Sequence, residues 1–305
     1  MPELILHHFE QSPFAEKVRL LLGLKQLAWR SVEIPRIMPK PELTALTGGY
    51  RRTPVLQIGA DVYCDTRLIA LELEARHPHP SLFPDGARGL TLALAAWSDR
   101  PLFEAAVALS MAVNHKSLPA DFIKDRREFL SFLDFDHLES EIPRFMAQLR
   151  AQADLLEQQL ADGRAFLGGQ APGLADAQAY CPLWMVRARV PDAAHQLASL
   201  VRLAAWEQRM RDLGHGRAIA MSAAEAHAVA RSSLPKHGGI VDAKDPLGLA
   251  AGELVRVAPD DYGKDPVTGR LVTLTVQEVA VQRADPAVGT VVIHFPRIGF
   301  RIDRV

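Results

Sequence analysis

Leu4-Ile5-Leu6-His7-His8-Phe9 passes through Glu10-Gln11 into Ser12-Pro13-Phe14-Ala15-Glu16-Lys17-Val18-Arg19, and this handover decides the reading of the whole first domain. The first run is strand-like. Ser12 has a side chain preferred at a helix N-cap, Pro13 suits the first helical position, and Val18, Leu21 and Leu22 fall on one helical face. A hydroxyl therefore stands where free backbone N–H groups and the positive end of a helix dipole converge, a place that favours an anion. Taken alone, such a Ser-Pro pair does no more than cap a helix.

Outward from this junction, strand and helix alternate up to about residue 80. Residues 3–9 read as extended, 13–25 as helical and 29–34 as extended; a loop with Pro35, Pro39 and Pro41 follows, then a short helix over 42–46. Pro54 to Ile58 is strand-like, Gly59-Ala60-Asp61 a turn, Val62-Tyr63-Cys64 a strand and Thr66 to about Arg76 a helix. The last two strands are close enough only for a hairpin, so the sheet must be mixed.

His77-Pro78-His79-Pro80 ends that regime. From 87 to 232 alanine and leucine recur at helical spacing, most clearly over 87–114, 138–162, 174–190, 197–212 and 222–231, which predicts an all-helical domain. Six basic and seven acidic residues interleave between 116 and 150, as on a solvated helical face. Beyond Ser233, Glu253 to Val257, Leu271 to Val281, Thr290 to Phe295 and Phe300 to Ile302 alternate as strands, and their turns suit a small barrel of four or five. The chain thus reads as an α/β domain over 1–80, an all-α domain over 87–232 and a small β-barrel-like module over 240–305.

Thirty-five basic and 36 acidic residues among 305 leave a net charge of −1, and 48% of the residues are apolar. Such a balance points to small-molecule chemistry and away from nucleic acid or an anionic membrane. No apolar stretch approaches the ~20 residues needed to span a bilayer, so the expected location is the cytoplasm. Cys64 and Cys181 are far apart and neither forms a Cys-x-x-Cys pair, which argues against a disulfide framework and a dithiol centre. The scattered histidines have no metal-ligand spacing.

Ser12-Pro13-Phe14 with Lys17-Val18-Arg19, Arg52-Thr53-Pro54-Val55-Leu56, Cys64-Asp65-Thr66-Arg67-Leu68-Ile69 and, more loosely, Leu174-Ala175-Asp176 occur in this order over about residues 3–232. Together they resemble the glutathione transferase superfamily. The resemblance implies a thioredoxin-like first domain, a helical second domain, glutathione as co-substrate and a homodimer; the 240–305 module lies outside that plan. It also assigns roles. Ser12 would donate a hydrogen bond to the glutathione sulfur and favour its thiolate. Thr53, before a proline that is cis in the family, would offer a strand edge to the peptide. Asp65 would face the γ-glutamyl ammonium and Thr66 its carboxylate, although a plain Asp helix cap explains the same pair. Arg52 and, more weakly, Lys40 are candidates for the glycyl carboxylate, Lys40 reading otherwise as a solvated side chain. Phe14 joins the ligand-binding set as part of its motif.

A second substrate, an electrophilic small molecule or a peroxide, would lie between the domains, where the 87–114 helix supplies apolar bulk in Trp97, Phe103, Leu109 and Met111. The family usually opens its second-domain capping box with Ser or Thr, and Gly173 removes that hydroxyl, so Asp176 is read as structural. Two functions stay open. The joint presence of Ser12, Pro54, Asp65 and Thr66 favours a thiol-activating enzyme, whereas the extra module and Gly173 favour a non-catalytic binding or scaffold protein. The missing second cysteine disfavours a dithiol oxidoreductase, and Ser12, where some members of the family carry cysteine, argues against the branch that forms mixed disulfides.

Overall fold

The computed structural model describes residues 2–84, 86–236 and 239–305. The chain begins with β1 (Ile5–His8), α1 (Pro13–Leu24), β2 (Ala28–Glu33), α2 (Pro41–Thr47), β3 (Val55–Ile58), β4 (Asp61–Cys64) and α3 (Thr66–Arg76). A helical stretch follows: α4 (Arg88–Trp97), α5 (Phe103–Asn114), α6 (Ala120–Phe129), α7 (Ile142–Gln159), α8 (Leu174–Arg189), α9 (Ala193–Gln196) and α10 (Val201–Asp212). Then come β5 (Arg217–Ala220), α11 (Ala223–Ser232), β6 (Leu254–Pro259), β7 (Val267–Leu274), β8 (Glu278–Asp285), β9 (Gly289–Pro296) and β10 (Phe300–Arg304). The elements of the first 80 residues lie where proline, glycine and hydrophobic periodicity put them.

Contacts divide the chain into two compact units, and the division differs from the three successive segments read in the sequence. One unit holds the chain up to Ser12, Ala28–Glu72 and Ala218–Val305; the other holds Pro13–Leu27 and Leu73–Arg217.

The first unit is built on one ten-stranded sheet in the order β10-β6-β7-β8-β9-β4-β3-β1-β2-β5. β1 runs parallel to β2 and antiparallel to β3, and β3 and β4 form the expected hairpin. Its two-residue turn starts at Gly59, whose φ of 65° a side chain would disfavour. All four residues of β1 are buried, as a central strand with both faces covered requires. The strand-rich module expected over 240–305 is present as five antiparallel strands in the open order β10-β6-β7-β8-β9, not closed into a barrel, joined edge to edge with the N-terminal sheet. β9 runs parallel to β4, pairing Asp61 with Val292 and Tyr63 with His294. One core consequently spans both halves: Leu43, Leu46, Tyr50, Val55 and Val62 pack in the same cluster as Val255, Leu271, Val281, Ile293 and Phe295.

Residues 218–232, which periodicity assigns to the helical domain, supply most of a strand and a helix to this unit. β5 is too short to show an alternation, and it occupies the outer edge beside β2. Ser222 caps α11 reciprocally: its hydroxyl accepts from Glu225 N–H at 3.2 Å, and its own N–H donates to the Glu225 carboxylate at 2.8 Å. Ala226 then packs on Ile5 and Val32.

In the second unit α8 is buried along most of its length and packs against α1, α4 and α5. The helix expected over 87–114 is interrupted by a π-helical turn, Ser98–Leu102, that contains Pro101; proline has no N–H to continue the α ladder. Phe103, Leu109 and Met111 are buried in this unit. Gly173 has a steric reason: a Cβ there would stand 2.8 Å from Leu82 O and 2.9 Å from Pro84 Cδ. With no hydroxyl available, Asp176 supplies its half of the cap, accepting from Gly173 N–H at 2.9 Å, and also takes Leu167 N–H and Trp206 Nε1–H. Buried charges on α1 are paired within the unit, Lys17 with Asp99 at 2.5 Å and Arg19 with Glu16 at 2.7 Å.

Candidate functional site

Strand register brings the chain segments that lead to Ser12, Thr53-Pro54 and Asp65-Thr66 to one end of the N-terminal sheet. His7 pairs with Val55 across β1 and β3, and Val55 pairs with Cys64 across β3 and β4. The next residues outward are therefore neighbours: the chain leaving β1 towards Ser12, the chain entering β3 through Thr53-Pro54, and the chain leaving β4 through Asp65-Thr66. No motif spacing alone could establish this, because it depends on which strands pair.

Ser12 is buried, its N–H donates to Phe9 O at 3.2 Å, and it immediately precedes Pro13, the first residue of α1. The Thr53–Pro54 peptide bond is cis. Lys40, read from the sequence as a solvated side chain, is instead buried at 4% exposure. Its ammonium donates to Arg51 O and to Thr53 Oγ1, both at 3.2 Å, and lies 5.7 Å from the centre of the Phe9 ring. Apolar stem and backbone acceptors together make that burial tolerable. Lys40 thus ties the Phe9–Ser12 turn to the Thr53 edge.

Asp65 and Thr66 open α3. An Asp65 carboxylate oxygen accepts from Arg67 N–H at 2.8 Å, so the helix-cap reading is realised. Asp65 has φ 74°, a left-handed conformation in which aspartate is among the few tolerated side chains. Such strain collects where a side chain must be aimed. Thr66 is buried at the first position of the helix.

Arg52 points elsewhere. Its Nη2 donates to the Asp261 carboxylate and to Tyr262 O in the turn between β6 and β7, and the guanidinium stacks 4.1 Å from the Tyr262 ring centre. Burial alone would lower its pKa; Tyr262, Tyr50 and Asp261 outweigh that and raise it. The arginine proposed for a ligand carboxylate is already engaged by one of the chain's own. Phe14 belongs to the second unit, where its ring lies 4.6 Å from that of Phe103 and 4.9 Å from Lys17 Nζ.

Tyr50, Asp261 and Tyr262 escaped the sequence reading. Burial, and next the Asp65 charge, push the Tyr50 hydroxyl well above its ordinary pKa, so it stays protonated beside that carboxylate. Nothing local marks Asp261, since Arg52 is 209 residues away. Cys64 is fully buried, and burial and then Asp65 push its thiol well up, which leaves it without thiolate character. Both cysteines are free and buried. Among the described residues no cluster of His, Cys, Asp and Glu could hold a metal ion, and no helix is long and apolar enough to cross a membrane. A cavity of about 350 Å³ in the first unit lies at Tyr63, Glu72, Glu278 and His294 and is lined by none of the residues above.

The family models agree with the residues that form this end of the sheet. Residues 6–81 match the glutathione S-transferase N-terminal domain and residues 139–209 the glutathione S-transferase C-terminal domain. A GST-like protein from Pseudomonas syringae is 39% identical, with 100% of both chains covered and a TM-score of 0.79, so its likeness includes the C-terminal strands. FzlA from C. crescentus is 26% identical over 68% of this chain and 88% of its own, at a TM-score of 0.51. A glutathione S-transferase from Rhodospirillum rubrum F11 shares the fold at 22% identity, over 68% of this chain and 87% of its own, with a TM-score of 0.53. No curated protein matches. The chain belongs to the glutathione transferase superfamily, in a form whose N-terminal sheet is extended by five C-terminal strands.

Proposed function

We propose that this protein binds glutathione at the end of the sheet formed by Ser12, Lys40, Thr53-Pro54 and Asp65-Thr66, and activates its thiol for attack on an electrophilic small molecule or a peroxide. The observation that supports this reading is the register that brings His7, Val55 and Cys64 abreast, the strand ends from which the chain continues to Ser12, Thr53-Pro54 and Asp65-Thr66.

The residues fit the ligand's chemistry. A tripeptide's backbone amides need an extended partner, and Thr53 enters β3 in that form. Asp65 suits an ammonium, while Thr66 and the amides of the first turn of α3 suit the adjacent carboxylate. Lys40, at Thr53, is the cation for the glycyl end. Glutathione supplies the nucleophilic sulfur; Ser12, donating its O–H, stabilises the thiolate after the thiol proton has passed to water. Serine is not the nucleophile in this scheme. A homodimer and a cytoplasmic location accompany the reading by family resemblance.

Calorimetry with reduced glutathione tests it: saturable binding is expected, and no heat at millimolar ligand sinks it. Ser12→Ala should then cut turnover of an aryl halide or hydroperoxide while leaving affinity nearly intact, since its bond matters chiefly to the thiolate. Asp65→Ala should weaken binding. The engagement of Arg52 by Asp261 favours the alternative of a non-catalytic binding protein; binding without turnover in both wild type and Ser12→Ala would establish it.

A further inference from the structure

The β6–β7 turn belongs to the C-terminal strands, yet it reaches the segment that would hold the ligand. Asp261 and Tyr262 engage Arg52, and Arg51 lies 3.9 Å from Asp265 in the same turn. The backbone flanking Arg52 is the backbone of the candidate site: Lys40 donates to Arg51 O and Thr53 Oγ1. Arg52 is also electrostatically coupled to Tyr50, which Asp65 influences as well. Guanidinium and site are therefore neighbours, separated by the direction in which one side chain points.

Two features show that the pairing is built and not incidental. Asp261 is fixed by its own turn, its carboxylate accepting Tyr262 N–H at 2.8 Å, so it is held ready for the arginine. Arg52 Nε, by contrast, is buried without a hydrogen-bond partner. The turn satisfies one edge of the fork and leaves a donor over, the donor that a bidentate carboxylate would use.

Resting on the glutathione reading above, we propose that Asp261 is a specificity-determining residue: it occupies Arg52 as an internal carboxylate and so limits how strongly the site selects a ligand with a free carboxylate at its glycyl end. Recognition of that end falls to Lys40, a point charge that discriminates less sharply than a guanidinium fork. A thiol ligand whose glycyl carboxylate is esterified is then tolerated better than it would be with Arg52 released.

The measurement is the ratio of dissociation constants for glutathione glycyl monoethyl ester and for glutathione, by calorimetry, in wild type, Asp261→Asn and Asp261→Asn/Arg52→Gln. Asparagine has the same shape and keeps an acceptor for Tyr262 N–H, so the turn is retained. In Asp261→Asn the ratio should rise about tenfold, the worth of one charge-assisted contact to a carboxylate. In the double variant it should return to the wild-type value. Asp261→Glu, which keeps the charge, should also hold the wild-type ratio. A ratio unchanged in Asp261→Asn, or still raised in the double variant, overturns the assignment while the glutathione reading stands. Absence of heat with either peptide in every variant overturns that reading, and this proposal with it.

Discussion

Two buried histidines of the ten-stranded sheet, His7 in its N-terminal half and His294 among its C-terminal strands, are shifted in opposite directions. His7, in β1, donates or accepts one bond with the Gln57 side chain at 2.9 Å, and burial, partly offset by that bond, brings its pKa down to about 4. It is neutral. His294, in β9, lies between two carboxylates, Asp61 of β4 at 2.9 Å and Glu278 of β8 at 2.5 Å, with Tyr63 stacked 4.5 Å away. Burial would lower its pKa, but the two carboxylates prevail and raise it. The two carboxylates favour its protonated form. At His7 the N-terminal half disfavours charge; the seam joining the C-terminal strands is fastened by charge, with Arg52–Asp261 as its second clasp. Apolar strands can pair in many registers, whereas a buried ion pair penalises every arrangement that leaves it unmatched.

The most severe way to break the comparison is to remove one half. A chain ending at Lys236 uncovers Leu43, Leu46, Tyr50, Val55 and Val62 and bares the β4 edge. It should give no soluble species with a cooperative thermal transition, because an exposed apolar face and an open strand edge both drive association. A cooperative melt by circular dichroism would show that the N-terminal half folds without the seam.

His294→Gln leaves Asp61 and Glu278 without their cation, at a cost of about 3 kcal/mol, the low end for breaking a buried pair because Glu278 is partly exposed. Urea denaturation at pH 6 measures it. The wild type should also lose this contribution as pH rises through the raised pKa of His294, since a cation favoured by the fold stabilises fully below its unfolded value. The variant should lack that alkaline decline.

His7 should produce the opposite slope. Its pKa falls from 6.5 to about 4 on folding, so its neutral form stabilises above pH 6.5 and the contribution is lost as pH drops through 4. That amounts to about 3 kcal/mol across the interval. The difference between wild type and His7→Gln in urea midpoints from pH 7 to pH 4 isolates it, because the carboxylates and the other histidines titrate alike in both. Parallel curves would show that His7 is not held neutral.

Much of the first unit was legible because its signals are local. Pro13, Pro41 and Pro54 stand at element starts, Gly59 makes the hairpin turn, and the runs between them have strand or helix periods. Ser12, Thr53 and Asp65 could be named from those boundaries. Lys40 was misread because its burial depends on the Arg51 carbonyl and Thr53 hydroxyl folding over it. Arg52 was assigned to a ligand because its rival, Asp261, lies in a stretch with no motif. Gly173 looked like a lost cap and is a packing requirement, set by Leu82 and Pro84 from a distant part of the chain.

By itself, the sequence determined the order of strands and helices over the first 80 residues, the hairpin of β3 and β4, the hydroxyl at the start of α1 and the family to which these belong, all of which rest on residues close together in the chain. Tertiary structure alone decided that the C-terminal strands extend the first sheet through β4 and β9, that 218–232 belong with them, and that Arg52 answers to Asp261. The reason is separation: Asp61 and His294 are 233 residues apart, and no local periodicity records which of several apolar strands will pair. Only the closing of a shared core over paired charges selects one.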